Sequence, residues 1–313
     1  MEISIIGASG KIGRAVSVVL ARERYIQHIN LISREKSINT LEGHKLDIYD
    51  SLAAEGLDVE ISVHTDKDLS CVCNSDIVII PAGVPRTGNM TRLDLSKKNA
   101  SIVKNYAKQI GKKCDTKLFM VTNPVDVMTQ KALIESGYER NQVFGLGTHL
   151  DSMRFKVAIA KYFKVHIGDV RTRIIGEHGD SMVPLFSSTA IGGIPINRLP
   201  EYKNFPKEEI INFVKNGGKK IIELKGGSEY GPASAILNVV RSIANDTKRY
   251  LTLSAYVNGE IEGANDLCIG VPVVIGKNGV EKIIPIKLEE KECIDFKNSV
   301  NVIKKYWEEV KHI

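Results

Sequence analysis

The chain has 313 residues, 43% of them hydrophobic and 26% charged, with a formal net charge of +6. That is enough apolar material for one large domain or two closely packed ones and too much for a disordered chain. No apolar run approaches the roughly 18 residues of a membrane-spanning helix. The lysines are interleaved with acids, as in Lys287-Leu288-Glu289-Glu290-Lys291-Glu292, which is a solvated surface and not a nucleic-acid stripe.

The N-terminal segment lacks the basic-then-apolar order of a secretory signal and enters a strand at once, over residues 3–6. A cytoplasmic protein is therefore expected. The strand runs into Gly7-Ala8-Ser9-Gly10-Lys11-Ile12-Gly13, which opens a helix over 11–22. The first glycine permits a tight turn, the second lets backbone N–H groups approach a pyrophosphate, and the third lets the helix pack on the strand. The helix N-terminus adds partial positive charge. The spacing is GxxGxxG, not GxGxxG, but its strand–turn–helix setting is the one a dinucleotide site requires.

The next strand, 29–33, ends at Ser33-Arg34, about where an NAD site would place a carboxylate for the ribose 2′-hydroxyl. A small hydroxyl beside a guanidinium suits a 2′-phosphate instead. NADP is therefore favoured, with NAD kept open by Glu35 as a displaced ribose acid. A solvated Arg34 with no such role is the plainer reading. A helix over 38–55 and a strand over 61–63 follow, then Cys71-Val72-Cys73. The five cysteines are odd in number and scattered, so reduced structural thiols are expected and no metal site.

The strand 77–80 gives way to a loop with prolines at 81 and 85, glycines at 83 and 88, and arginines at 86 and 92. It lies at the carboxyl edge of a parallel sheet, where ligands of such folds bind, and has the composition of a movable lid. A helix over 91–112, a strand over 118–121, a helix over 125–136 and a strand over 143–145 complete an alternating pattern. Such alternation predicts an α/β fold, a Rossmann-type doubly wound parallel sheet with right-handed crossovers.

After 145 the pattern becomes that of an α+β half with antiparallel strands. It comprises a helix over 150–162, a strand over 170–175, irregular Gly- and Pro-rich sequence, helices over 207–224 and 232–246, strands over 251–257, 268–275 and 280–284, and a final helix over 293–310. Two domains are expected, a dinucleotide-binding domain at 1–145 and a substrate-binding catalytic domain at 146–313. On the helix after the boundary, Asp151 and Arg154 stand at i and i+3, hence on one face. They form either an intrahelical ion pair or an orienting acid and a carboxylate clamp. In Ile175-Gly176-Glu177-His178-Gly179-Asp180-Ser181, glycines flank a histidine able to exchange a proton near neutral pH.

The motifs GASGKIG at 7–13, PAGVPRTGNMTR at 81–92, VTNPVD at 121–126, LDSMR at 150–154 and GEHGDSMVP at 176–184 are together similar to the lactate/malate dehydrogenase family over nearly the whole chain. The resemblance implies that His178 exchanges a proton with the substrate oxygen, that Asp151 fixes its tautomer, and that Arg154 grips the substrate's C1 carboxylate. It implies further that Arg92 polarises the reacting carbonyl, and that Asn123 positions that carbonyl and the nicotinamide. Val121, Ala82 and Gly83 would line the cofactor, and Asn99 would contact it. An arginine at Arg86 resembles the malate/oxaloacetate type, because a second substrate carboxylate in a closed site needs a second cation, whereas glutamine would suit lactate. The resemblance also implies a homo-oligomer, either a dimer or a tetramer built as a dimer of dimers. Rival readings are a lactate or broad L-2-hydroxycarboxylate dehydrogenase and a non-catalytic nucleotide-binding protein. A short-chain dehydrogenase would need Tyr-x-x-x-Lys, and none of the ten tyrosines has lysine four residues on.

Overall fold

A computed structural model of the chain describes residues 1–84, 92–111 and 113–313, with side chains of residues 92 and 93 excepted. In chain order the first half comprises β1 (Glu2–Ile6), α1 (Lys11–Ala21), β2 (His28–Ser33), α2 (Ile38–Glu55), β3 (Glu60–Thr65), β4 (Ile77–Ile80), α3 (Arg92–Gly111), β5 (Lys117–Met120), α4 (Val125–Ser136) and β6 (Val143–Gly145). The second half begins with α5 (His149–Phe163). The short strands β7 (Val170–Arg171), β8 (Ile174–Ile175), β9 (Val183–Pro184), β10 (Ala190–Ile191) and β11 (Ile194–Pro195) follow. The chain continues through α6 (Lys207–Lys225), α7 (Tyr230–Ala244), β12 (Arg249–Asn258), β13 (Asn265–Gly276), β14 (Gly279–Ile283) and α8 (Glu290–Glu308).

Among the described residues, nine strands form one sheet in the order β14-β13-β12-β6-β5-β4-β1-β2-β3. The six strands from β3 to β6 are mutually parallel. Their order, 3-2-1-4-5-6, is that of a Rossmann fold and places a topological switch beside β1. Both faces of this part are covered, so β4 reads as a continuous apolar run and β1 is buried throughout Ile3–Ile6, Ser4 included. The strands of the second half do not form a separate main sheet. Ser254 on β12 pairs antiparallel with Gly145 on β6, which extends the same sheet across the boundary.

The predicted strand over 170–175 is two strands. β7 pairs with β10, and β8 pairs with β9 in a different sheet, so the chain changes partners between Arg171 and Ile174. Periodicity cannot register that change. α8 begins earlier than predicted because Glu289 and Glu292 form a reciprocal capping box at its start. Pro232 lies inside the first turn of α7, where its missing N–H costs nothing.

The cysteine expectation is corrected. Cys73 and Cys114 form a disulfide, while Cys71, Cys268 and Cys293 are free. The two bonded cysteines precede β4 and β5, which are parallel neighbours. Segments leading into adjacent parallel strands run side by side, so residues 41 apart in sequence reach a Cα–Cα separation of 4.5 Å.

Candidate active site

The glycine loop forms as its sequence requires. Gly7 has φ +97°, and a side chain there would drive a Cβ to within 2.7 Å of the Ala82 backbone. At Gly13 a Cβ would meet the Gly7 carbonyl at 2.5 Å. Gly10 caps α1 without any side-chain hydrogen bond, and no acid lies in the first turn. The first-turn N–H groups and the positive helix end are thus available to an anion, which fits a dinucleotide pyrophosphate. Ser9 follows Ala8 in the loop, and its Oγ lies 2.6 Å from Ser33 Oγ at the end of β2. Ile12 is half-buried, and Lys11 is exposed. The Lys11 ammonium is directed to α6, where it donates to the Gly226 carbonyl at 2.8 Å.

Arg34 is exposed. Glu35, the acid offered for the ribose, is held instead by Lys67 Nζ at 2.5 Å. The segments after β4 and β5 complete the edge. The Thr122 hydroxyl, which has one proton to donate, lies 2.9 Å from the Ile80 carbonyl and 2.6 Å from the Ala82 carbonyl. Val121 is buried beside it. A Cβ at Gly83 would meet Thr122 Cγ2 at 2.8 Å, so this approach needs glycine. Asn99 is buried, and both ends of its amide are committed to the protein. Its Oδ1 accepts from Val84 N–H at 2.8 Å, and its Nδ2 donates to the Asn123 carbonyl at 2.7 Å. It therefore braces the loops on either side. Arg86 lies outside the described residues. Arg92 begins α3, and its side chain is likewise outside them.

The polar cluster of the second half centres on Asp151. Thr148 fixes the start of α5 by donating its hydroxyl to the Ile174 carbonyl at 2.5 Å, and Ile174 N–H donates to Ser152 Oγ at 2.9 Å. This places the N-terminal turn of α5 against β8 and the segment that follows it. Asp151 is fully buried and uses both oxygens. Oδ2 lies 2.5 Å from His178 Nδ1, and Oδ1 accepts from Arg154 Nη1 at 2.9 Å. The intrahelical ion pair is therefore present, and its acid also holds the histidine.

Electrostatics follow from this geometry. Burial opposes the charge on Asp151, but His178 and Arg154 outweigh it and hold the carboxyl below its usual range. Burial likewise opposes the imidazolium of His178, and the Asp151 carboxylate outweighs it, so the His178 pKa is raised. The His178 side chain is 25% exposed, leaving one edge of the ring accessible.

The glycines of the histidine segment have structural causes. Gly176 has φ +90° and exchanges two backbone hydrogen bonds with Gly270 on β13, at 2.8 and 3.0 Å. A Cβ at Gly270 would strike the Gly176 carbonyl at 2.6 Å. Glu177 N–H donates to Ser299 Oγ on α8 at 2.6 Å, and Glu177 Oε2 accepts from the Ser181 hydroxyl at 2.5 Å.

Two positions escaped the reading of the sequence. Asp126 is one residue of the VTNPVD motif, and its Oδ2 accepts the backbone N–H of His178 at 2.8 Å. It ties the histidine segment to the loop that carries Asn123. Burial pushes its carboxyl up to about 6, against the His178 N–H and the Ser254 hydroxyl, which act to lower it. A raised folded-state pKa makes the ionised side chain a cost that grows as pH rises from about 4 to about 6. Asp126→Asn keeps an acceptor for His178 N–H and removes that cost. The variant is expected to gain about 3 kcal/mol of stability at pH 8 and nothing at pH 4. Thermal midpoints across that range test this, and an equal midpoint shift at both pH values would defeat it. The second missed position is the pair Gly217-Gly218 inside α6. A Cβ at Gly217 would lie 3.3 Å from Arg154 Cδ. Two adjacent glycines within a helix were the available signal, since each costs about 1 kcal/mol relative to alanine unless close approach requires it.

Two family models match the chain. The NAD binding domain of lactate/malate dehydrogenase matches residues 1–145, and the lactate/malate dehydrogenase alpha/beta C-terminal domain matches 148–313. The chain belongs to the lactate/malate dehydrogenase family. It is 62% identical to a malate dehydrogenase of Methanococcus maripaludis, with all of both chains covered. It is 60% identical, again over all of both chains, to an L-2-hydroxycarboxylate dehydrogenase (NAD(P)(+)) of Methanocaldococcus jannaschii. The crystal structure of Cryptosporidium parvum malate dehydrogenase superposes with a TM-score of 0.91 at 35% identity, covering 100% of this chain and 99% of that one.

Proposed function

We propose that this protein is a cytoplasmic NAD(P)-dependent malate dehydrogenase that interconverts oxaloacetate and L-malate. The observation that carries the reading is Asp151, fully buried and divided between His178 and Arg154. One carboxylate thereby orients both a proton-transfer group and a cation able to clamp a carboxylate. On this reading 1–145 is the dinucleotide half, 146–313 the substrate half, and the protein works as a homodimer or a tetramer.

Gly7, Ser9, Gly10, Ile12, Gly13 and the Ala82, Gly83 and Val121 edge would hold the nicotinamide dinucleotide, which would supply or accept a hydride at the substrate C2. The rest is done by side chains. Arg154 pairs with the C1 carboxylate through a planar fork of donors. Arg92 stabilises charge that develops on the carbonyl oxygen. Protonated His178 gives that oxygen its proton in reduction, and neutral His178 takes it back in oxidation. Asn123 aligns the carbonyl.

Arg86 is the proposed selector for dicarboxylates. An unpaired carboxylate in a closed site costs roughly several kcal/mol, so Arg86→Gln is expected to lower kcat/KM for oxaloacetate by about 10²–10³-fold while pyruvate use stays level or rises. Steady-state kinetics with both acids check this, and an unchanged preference would remove Arg86 from the role. The Methanocaldococcus relative's name supports a second reading, a broad L-2-hydroxycarboxylate specificity. Comparable wild-type kcat/KM values for oxaloacetate and pyruvate would favour that reading.

NADP is the favoured cofactor. β2 ends in Ser33, a hydroxyl hydrogen-bonded with Ser9 and not an acid, the exposed Arg34 follows it, and Lys67 offsets Glu35. Arg34→Ala is expected to raise the Kd for NADPH about tenfold and that for NADH less than twofold, since a charge-assisted contact to phosphate contributes about 1.5–3 kcal/mol. Equal effects on both cofactors, read by fluorescence titration, would refute it.

A further inference from the structure

Lys11 begins α1, yet its ammonium caps the carboxyl end of α6, donating to the Gly226 carbonyl at 2.8 Å and to the Lys225 carbonyl at 3.4 Å. Gly226 has φ +76° and Gly227 φ +148°. A Cβ at Gly226 would stand 3.0 Å from Lys11 Nζ, and one at Gly227 would stand 3.4 Å from Lys11 Cδ. The two glycines thus make room for the lysine. The last carbonyls of a helix carry partial negative charge, so a cation is favoured there. The other charged groups facing this point are Arg14, Lys225 and Glu229, the latter two paired with each other.

Further up α6, Gly217 and Gly218 lie against Arg154. A Cβ at Gly217 would come within 3.3 Å of its Cδ and 3.5 Å of its Nε, and one at Gly218 within 3.7 Å of both terminal nitrogens. The helix between the two contacts is unbroken, from Lys207 to Lys225. The span from Gly217 to Gly226 is roughly 13 Å at 1.5 Å per residue. One rigid element therefore touches the dinucleotide loop at one end and the carboxylate-clamping arginine along its length.

We propose that Lys11 is a positioning residue for substrate binding, acting through α6 on Arg154. It straps the carboxyl end of α6 to the loop, which sets where Gly217-Gly218 hold the Arg154 guanidinium. Lys11 is the first residue of α1, so an anion seated on the loop amides orders the turn that carries it. Filling the loop thereby fixes the strap, and dinucleotide occupancy is transmitted to the substrate clamp. This rests on the reading of Arg154 as the carboxylate anchor.

Lys11→Met keeps the apolar stem and removes the ammonium. It is expected to raise KM for oxaloacetate about tenfold with a much smaller change in kcat, because a charge-assisted hydrogen bond is lost away from the reacting atoms. Its Kd for NADPH, read by fluorescence, should change less than threefold. Hydrogen exchange supplies a readout independent of turnover: NADPH should protect the amides of residues 219–226 in the wild type and fail to do so in Lys11→Met, while amides of the glycine loop stay protected in both. Gly217→Ala, which presses on Arg154 from the other end, should raise KM in the same direction with Lys11 intact. An unchanged KM together with a tenfold or greater rise in the NADPH Kd would make Lys11 a direct cofactor ligand and overturn the strap. Retained NADPH protection of α6 in Lys11→Met would overturn it equally. If the wild type fails to reduce oxaloacetate, the functional reading falls, and the exchange experiment still decides whether the loop and α6 are coupled.

Discussion

His178→Asn is expected to lower kcat for oxaloacetate reduction by about 10³-fold or more, with NADPH binding unchanged. Asparagine is close in size and can still hydrogen-bond to Asp151, so the pocket keeps its shape. It has no proton to exchange in the working pH range, and general acid–base catalysis contributes about 10²–10⁴-fold. Asp151 remains paired to Arg154 at 2.9 Å, so the buried carboxylate is not abandoned. The dinucleotide loop is built from other elements, and its affinity should be untouched. Steady-state kinetics beside a fluorescence titration measure the two quantities. A kcat within tenfold of the wild type would end the assignment of His178 as the proton donor.

Asp151→Asn should be nearly as severe, and it carries a signature in pH. Reduction needs protonated His178, so the wild-type rate is full below the histidine pKa and falls as pH rises through it. Asp151 holds that pKa above the ordinary value of 6.5, against burial. Asparagine removes the charge and leaves burial acting almost alone. The falling limb for reduction should therefore move to lower pH, and the rising limb for malate oxidation should move with it. Turnover at neutral pH should drop by about 10²–10⁴-fold, since the tautomer is no longer fixed and Arg154 loses its partner. Stability is affected as well. The Asp151 carboxyl is held below its ordinary 3.8 in the folded state, so its contribution is complete above that pH and is lost as pH falls through the folded value. Removing one member of such a buried set costs about 3–5 kcal/mol. The decisive measurement is the pH profile of kcat in both directions. A limb that stays in place would show that Asp151 does not set the proton affinity of His178.

Much of this was legible in the residues because the relevant signals are local. The alternation of apolar runs and helical patterns depends on neighbours within a few positions, and the parallel half of the sheet follows from it. The glycine loop was legible for the same reason, since Gly7 and Gly13 are demanded by a turn and by contacts within one strand–turn–helix unit. Ser33 and Arg34 were readable because the end of β2 lies at a set distance along the chain from the loop.

Other features depend on which distant segments meet, and no local pattern encodes that. The strand over 170–175 splits because β10 and β9 arrive on different sides. Cys73 and Cys114 bond because β4 and β5 are neighbours. Asp126 looked like one residue of a motif until folding set its carboxylate on the His178 N–H, 52 residues away. Lys11 looked like part of a phosphate loop, and folding directed its ammonium to a helix end more than 200 residues on.

By itself the sequence determined the fold class, the dinucleotide loop and the identities of the acid, the cation and the histidine, since each is carried by residue type and short-range spacing. The tertiary structure decided the division of Asp151 between His178 and Arg154, the raised proton affinity of the histidine and the direction of the Lys11 ammonium to the end of α6. Those depend on burial and on distances of a few ångströms between segments far apart in the chain, where charges and hydrogen bonds in a low-dielectric interior are strong.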